Sequence, residues 1–329
     1  MAYNESPLKD FGQTLKVRNH FLITTHVQPD GDGVGSEIAL FGFLKKLGKD
    51  VVIFNPSPTP EKFQIADPNQ VIQVFALGTP LPKVEAVIVV DTNETKMLGP
   101  LEAPLKALKV PFLFVDHHVK ELSNVEGHLI DESMSSSGEL VYQFIKSQSG
   151  EVDYDMAVAL YVAIVTDTGN FRFQRTTPAT HEMAAELLRK GVKPESVFEE
   201  LFSRDSVQKL KLLGEALKSI EISSDGSCAW LTIPKEIRIN IGATIEDTES
   251  FIGHLLILRG VKIAALFREE DNGTVKLSLR GLRKQPVIEI AKKFGGGGHR
   301  FAAGARISKS LQEAKQVVLQ EIEKNLKNR

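Results

Sequence analysis

Two periods of apolar residues run along this chain, and their order predicts most of its elements. Phe21-Leu22-Ile23-Thr24-Thr25 is an unbroken apolar and β-branched run, the pattern of a buried strand. Beyond it Ile38, Leu40, Phe41, Leu44 and Leu47 recur at helical spacing, which predicts a helix over 37–47 stopped by Gly48. Residues 51–54, 85–90 and 110–115 predict three more buried strands, and 128–131 a further short one. The prolines at 56, 58 and 60 end the strand over 51–54, since proline donates nothing to a ladder. Helices are expected over 7–19, 137–147, 156–165, 178–191, 194–202 and 206–219, with a serine-rich loop over 133–138. Then the pattern changes to hairpins: 220–223 with 228–233 about Asp225-Gly226, and 262–268 with 274–280 about Asn272-Gly273. Helices over 248–259, over 287–294 and from Leu311 close the chain, with four glycines at 295–298 between the last two.

At 329 residues the chain exceeds one ordinary core, so two domains are expected, 1–190 and 223–329, with a helical connector over 191–222. No run reaches the apolar length of a membrane span and no signal-peptide pattern opens the chain, which points to a cytoplasmic protein without membrane partners. The lone Cys228 excludes an internal disulfide framework and reads as a small core residue beside Trp230. Net charge is −2, yet unevenly placed: residues 226–329 hold 18 Lys/Arg against 11 Asp/Glu, a balance of +7, which leaves −9 for 1–225. An acidic first part that gathers cations and a basic second part suit an anionic substrate. The small overall charge argues against a grip on long duplex nucleic acid through phosphates.

The chemistry gathers where predicted strands stop. The first runs into His26-Val27-Gln28-Pro29-Asp30-Gly31-Asp32-Gly33-Val34-Gly35-Ser36, the third stops at Asp91, and the fourth at Asp116-His117-His118. Asp167 follows the helix over 156–165 and precedes Gly169. In an open α/β sheet ligands bind outside the carboxyl ends of the strands, so these residues share one edge. The glycines of 26–36 are expected to turn a loop tightly enough to aim its imidazole and two carboxylates together. The same loop also suits a phosphate cradle or a plain turn. Five aspartates brought close would repel one another without cations, and two divalent ions resolve the conflict. Such a pair also supplies a mechanism, because ions about 3.5–4 Å apart activate a water and clamp a phosphate oxygen. The imidazoles favour Mn²⁺, Co²⁺ or Zn²⁺, with Mg²⁺ still open.

These stretches together resemble the DHH phosphoesterase family: His26 with Asp30-Gly31-Asp32 and Gly35-Ser36, Val90-Asp91, Asp116-His117-His118, and Thr166-Asp167-Thr168-Gly169. Gly295-Gly296-Gly297-Gly298-His299 followed by Ala302-Ala303-Gly304 is similar to the signature of the associated DHHA1 domain. The resemblance implies an α/β fold: an N-terminal DHH domain with a mainly parallel sheet flanked by helices, and a smaller C-terminal DHHA1 domain with a mixed sheet. It puts the active site in the cleft between the domains. It also implies two divalent ions, Mn²⁺ first and Co²⁺ or Mg²⁺ as alternatives. One is held by His26, Asp30 and Asp91, the other by Asp32, Asp91, His117 and Asp167, with Asp91 bridging. Asp116 then orients an imidazole and His118 faces the substrate, stabilising phosphate or protonating the leaving oxygen. Substrate contacts fall to Arg280, to the backbone of Gly296, Gly297 and Gly298, and to His299.

Within the family the compact layout is most similar to members that trim very short single-stranded RNA and dephosphorylate 3′-phosphoadenosine 5′-phosphate (pAp). A metal-dependent hydrolase of short RNA, of pApA-type dinucleotides or of nucleotide phosphates is therefore the leading expectation. Exopolyphosphatase or pyrophosphatase activity, cyclic-dinucleotide phosphodiesterase activity and non-catalytic nucleotide binding are the alternatives. A homodimer is left open. Arg268, Arg283 and Arg300 read as solvated charges, and Phe171 and Phe173 as core residues.

Overall fold

Strands buried on both faces need apolar side chains at every position, and the first sheet is built from such runs. The computed structural model describes residues 5–118, 127–248, 250–282 and 285–327. The chain forms two compact units, Met1–Arg204 and Asp205–Arg329. The first unit runs α1 (Glu5–Lys16), β1 (His20–Thr24), α2 (Gly31–Lys46), β2 (Asp50–Asn55), β3 (Ile72–Val74), β4 (Ala86–Val90) and α3 (Glu102–Ala107). It continues with β5 (Phe112–Asp116), β6 (Leu129–Ile130), α4 (Ser137–Ser147), α5 (Tyr154–Asp167), α6 (Pro178–Arg189) and α7 (Pro194–Phe202). All six strands are parallel, in the order β3-β2-β1-β4-β5-β6. The chain winds outward from β1 to β3, returns to β4, and winds the other way. Such a reversal opens a crevice at the carboxyl ends of the two central strands, here β1 and β4. Alternate residues feed two cores. Phe21, Ile23, Ile88 and Val90 pack under α2, α4 and α5, while Leu22, Val87 and Val89 pack against Leu98, Leu101 and Leu105.

One boundary differs in a way that matters. The glycine-rich stretch after β1 is not a loop, because α2 already begins at Gly31, capped by the Asp30 carboxylate, which accepts from Asp32 N and Gly33 N. Its glycines answer to neighbours. A Cβ on Gly31 would lie 2.1 Å from Thr166 Oγ1, one on Gly33 2.6 Å from Thr25 Oγ1, and one on Gly35 2.2 Å from the Ala159 carbonyl oxygen. Gly35 therefore lets α2 lie directly on the backbone of α5.

The second unit contains α8 (Val207–Lys218), β7 (Glu221–Ile222), β8 (Cys228–Ile233), α9 (Lys235–Ile241), β9 (Ile263–Glu269) and β10 (Val275–Gly281). It ends with α10 (Ile288–Lys293), β11 (Gly297–His299), β12 (Ala302–Ile307) and α11 (Leu311–Lys327). Its sheet is mixed, ordered β11-β12-β10-β9-β8-β7, with only β8 and β9 parallel. One face packs on α10 and α11 through Leu277, Leu279, Ile290 and Val318. On the other face α8 covers β8 and β9 through Leu212, Ala216, Leu231 and Leu266. Of the two helices expected between the domains, α7 belongs to the first unit and α8 to the second. The helix expected over 248–259 is replaced by two short 3₁₀ turns, Glu246–Thr248 and Phe251–Leu255. The Thr248 hydroxyl there bonds the Ile245 carbonyl, competing with a regular helix, while Phe251, Ile252 and Leu255 still reach the core. Arg268 is not a solvated charge either. It is buried, ion-paired with Glu270 and bonded to the Ile245 carbonyl. Cys228 is buried as expected.

Candidate metal centre

At the carboxyl ends of β1, β4 and β5 the polar residues converge. The Thr25 hydroxyl donates to the Val90 carbonyl at 2.9 Å and ties the ends of β1 and β4 together. His26 follows this tie and its Nε2 lies 3.4 Å from Asp91 Oδ2. Ligating atoms of His26, Asp30 and Asp91 fall within 4.8 Å of one another, and so do those of Asp32, His117 and Asp167. His117 Nε2 is 3.0 Å from Asp167 Oδ2, 3.6 Å from Asp32 Oδ2 and 3.7 Å from Asp91 Oδ1. The two oxygens of Asp91 are thus divided, Oδ2 toward the first group and Oδ1 toward the second. Its backbone is held at φ 59°, in the left-handed region that aspartate tolerates better than most residues. Gly169, Asn170 and Phe171, just beyond Asp167, share that region.

Burial makes the cluster electrostatically unstable when ionised. Desolvation first, and then Asp167, push the Asp32 carboxyl up to about 7. Desolvation, followed by Asp32, Asp30 and Asp167, raises Asp91 well above the ordinary carboxylate range. Burial would lower the His117 imidazole, but the carboxylates of Asp167, Asp32 and Asp116 outweigh it and lift it to about 9. Among the described residues the buried His117 Nε2 finds no hydrogen bond of acceptable angle, although three carboxylates surround it. A nitrogen so placed fits a cation between it and those oxygens. The donors are imidazole nitrogen and carboxylate oxygen without sulfur, a set that suits borderline and hard divalent ions. The residues present therefore fit a centre for divalent cations.

The chain matches the family model described as DHH family, N-terminal domain, over residues 20–164, and that of the DHHA1 domain over 236–328. It is 30% identical over 317 residues to the bifunctional oligoribonuclease and PAP phosphatase NrnA of Thermus thermophilus, covering 94% of this chain and 91% of that one. The chain belongs to the DHH phosphoesterase family. The NrnA protein of Bacillus subtilis is 27% identical, over 90% of this DHH chain and 91% of its own. A crystal structure of an exopolyphosphatase-related protein from Bacteroides fragilis superposes with a TM-score of 0.90 at 24% identity, covering 98% of this chain and 96% of that one, and so shares the fold.

Around the centre of this DHH phosphoesterase lie residues that pattern alone does not single out. The N-terminal amides of α4, Ser137 N and Gly138 N, donate to the two Asp32 oxygens at 2.7 and 2.8 Å. The Ser137 hydroxyl donates to Asp91 Oδ1 at 3.2 Å. Asn93 donates to Asp116 Oδ2, whose partner oxygen meets His118 Nδ1 at 2.8 Å, so the imidazole that Asp116 holds is His118. Buried Glu37 accepts from Asn55, which in turn accepts from Thr25 N, the residue before His26. Arg175 Nη1 stands 3.0 Å from His117 Nδ1 and 3.1 Å from its carbonyl. The serines of 133–138 were the only signal for any of these. Phe171 packs on the core and stacks on His181, whereas Phe173 is largely exposed, its ring over Gly169. Among the described residues no helix is long and apolar enough to cross a membrane.

The other candidates sit in the second unit. Arg280 is on β10 and Gly297 and Gly298 open the edge strand β11, with Gly296 just before it. A Cβ on Gly296 would lie 2.0 Å from the Gly304 carbonyl oxygen. The side chain of His299 and all of Arg283 lie outside the described residues. Arg300 is exposed, over the Phe301 ring.

Proposed function

We propose that this DHH phosphoesterase acts in the cytoplasm on very short single-stranded RNA, pApA-type dinucleotides and pAp, releasing mononucleotides with two Mn²⁺ ions. The observation that carries the reading is Asp91, whose two oxygens are split between two donor groups as a carboxylate shared by two ions requires. The NrnA relatives support the choice of substrates. When bound, the ions would polarise a phosphoryl oxygen and lower the pKa of an attacking water.

The chain's own residues then divide the work. His26 and Asp30 complete one site, and Asp32, His117 and Asp167 the other. The α4 amides hold Asp32 in place from behind. Asp116 holds the His118 ring through Nδ1, which leaves His118 to face the substrate and serve as proton donor to the leaving oxygen. Arg280, the backbone of 296–298 and His299 bind substrate phosphate from the second unit, leaving hydrolysis to the first. The test is a panel with Mn²⁺ on pAp, pApA, RNA of two to five nucleotides, and polyphosphate. Turnover of the nucleotides is the expected result. Turnover of polyphosphate alone refutes the substrate assignment.

A further inference from the structure

Among the described residues half of one face of the second unit's sheet carries no helix. On β8 and β9 that face is buried under Leu212, Phe251 and Leu255, but on β10 and β12 the positions pointing the same way are Lys276, Ser278, Arg280, Ala302, Gly304 and Arg306. None is a large apolar residue, and none of the six is buried. The ladder register sets Lys276 beside Arg306 on β12, and Arg280 beside Ala302. Lys276 lies across Gly304, its Nζ 3.6 Å from where a Cβ there would sit. Among the described residues Lys276 and Arg306 have neither an ion pair nor a hydrogen bond, and the Arg280 guanidinium bonds only the carbonyl of its neighbour Leu279. Arg306 is exposed, whereas Lys276 and Arg280 are partly buried without an ion pair, which is costly unless an anion completes them. Arg268, next in the row, is by contrast neutralised by Glu270.

We propose that this open strip is a two-point site for a chain of phosphates, with Arg280 at one end and the Lys276–Arg306 pair as a second anion subsite at the other. Four residues along the strand separate the Cα atoms of Arg280 and Lys276 by about 14 Å. A ligand that meets both ends must carry anionic groups spaced farther apart than the two phosphates of pAp, which flank one ribose; an oligonucleotide of three or more phosphates does. Serine, alanine and glycine between the two ends leave the sheet surface clear for the ligand. Burial first, and then Arg306 and Arg268, hold Lys276 below the ordinary lysine value, and burial does the same to Arg280, which fits cations awaiting a counter-charge. The inference rests on the substrate class proposed above and adds a length preference to it.

The test measures binding to the full chain by calorimetry in chelator, so that no ligand is hydrolysed. The probes are pAp, oligoadenylates of two to five nucleotides, and inorganic polyphosphate of comparable charge. Parent protein should bind longer oligoadenylates more tightly. A Lys276→Ala, Arg306→Ala variant should lose at least about tenfold on the longest while pAp stays within twofold. A Lys292→Ala, Lys309→Ala variant carries the same charge change elsewhere and should bind like the parent. Equal binding by parent and Lys276/Arg306 variant at every length overturns the subsite, as does an equal loss in the control. If polyphosphate binds with the Lys276/Arg306 dependence and oligoadenylates do not bind, the subsite stands and the RNA assignment fails.

Discussion

Gly35→Ala and Gly214→Ala make the same chemical change in the middle of two helices and should have opposite effects. Alanine favours a helix over glycine by about 1 kcal/mol, and that gain is available at both positions. Gly214, on α8, has nothing within 4 Å of the added methyl, so its variant should be more stable by about 1 kcal/mol, or about 4 °C in the second unit's transition. At Gly35 the methyl carbon would sit 2.2 Å from the Ala159 carbonyl oxygen, a backbone atom that cannot rotate aside. Ordinary contact begins at 3.4 Å, so α2 must move by about an ångström from α5. Overpacking of a tight core costs about 1–3 kcal/mol, and the upper end applies where backbone meets backbone. After the propensity gain, the net loss is about 2 kcal/mol, which should lower the first unit's melting temperature by about 4–8 °C. Because α2 carries Asp30 and Asp32 in its cap and first turn, the same variant should also bind Mn²⁺ more weakly. Differential scanning calorimetry with and without Mn²⁺ reads both effects. A Gly35→Ala protein that melts higher than the parent, as Gly214→Ala should, would show that α2 and α5 are not in direct backbone contact.

Three further outcomes follow from the centre. Asp91→Ala should abolish hydrolysis, since among the described residues no neighbouring carboxylate spans both donor groups; activity within about tenfold of the parent in saturating Mn²⁺ would remove Asp91 from that role. Mn²⁺ at a hundredfold excess over Kd should stabilise the parent by about 2.7 kcal/mol, and the melting shift should vanish in an Asp30→Ala, Asp32→Ala variant; equal shifts in both would put the ions elsewhere. In chelator, stability should rise as pH falls from 8 to 6. Asp32 is raised to about 7 in the folded chain from an ordinary 3.8, so the folded state takes up a proton over this range and the unfolded state does not. Melting scans across that range that fall or stay flat would contradict the burial of an ionisable Asp32.

What the sequence by itself determined is the sheet edge. A parallel strand covered on both faces is an unbroken apolar run, so a polar residue can stand only where the run stops, and His26, Asp91 and Asp116-His117-His118 announced one edge for that reason. The two hairpins of the second unit were legible in the same way, from alternation broken at Asp225-Gly226 and Asn272-Gly273. What only the tertiary structure decided is who arrives at each position. The glycines at 31, 33 and 35 read as a loop by propensity, yet they begin a helix that Asp30 caps, with Thr166, Thr25 and Ala159 too close to admit any side chain there. Arg268 and Phe173 exchanged the surroundings expected of them, the arginine buried against Glu270 and the phenylalanine left at the surface. The amides of Ser137 and Gly138 reach Asp32 across more than a hundred residues, and Lys276 meets Arg306 only through ladder register. Periodicity records which face of an element is buried; it carries no record of the neighbour that buries it, and the close approaches that build this centre are set by neighbours.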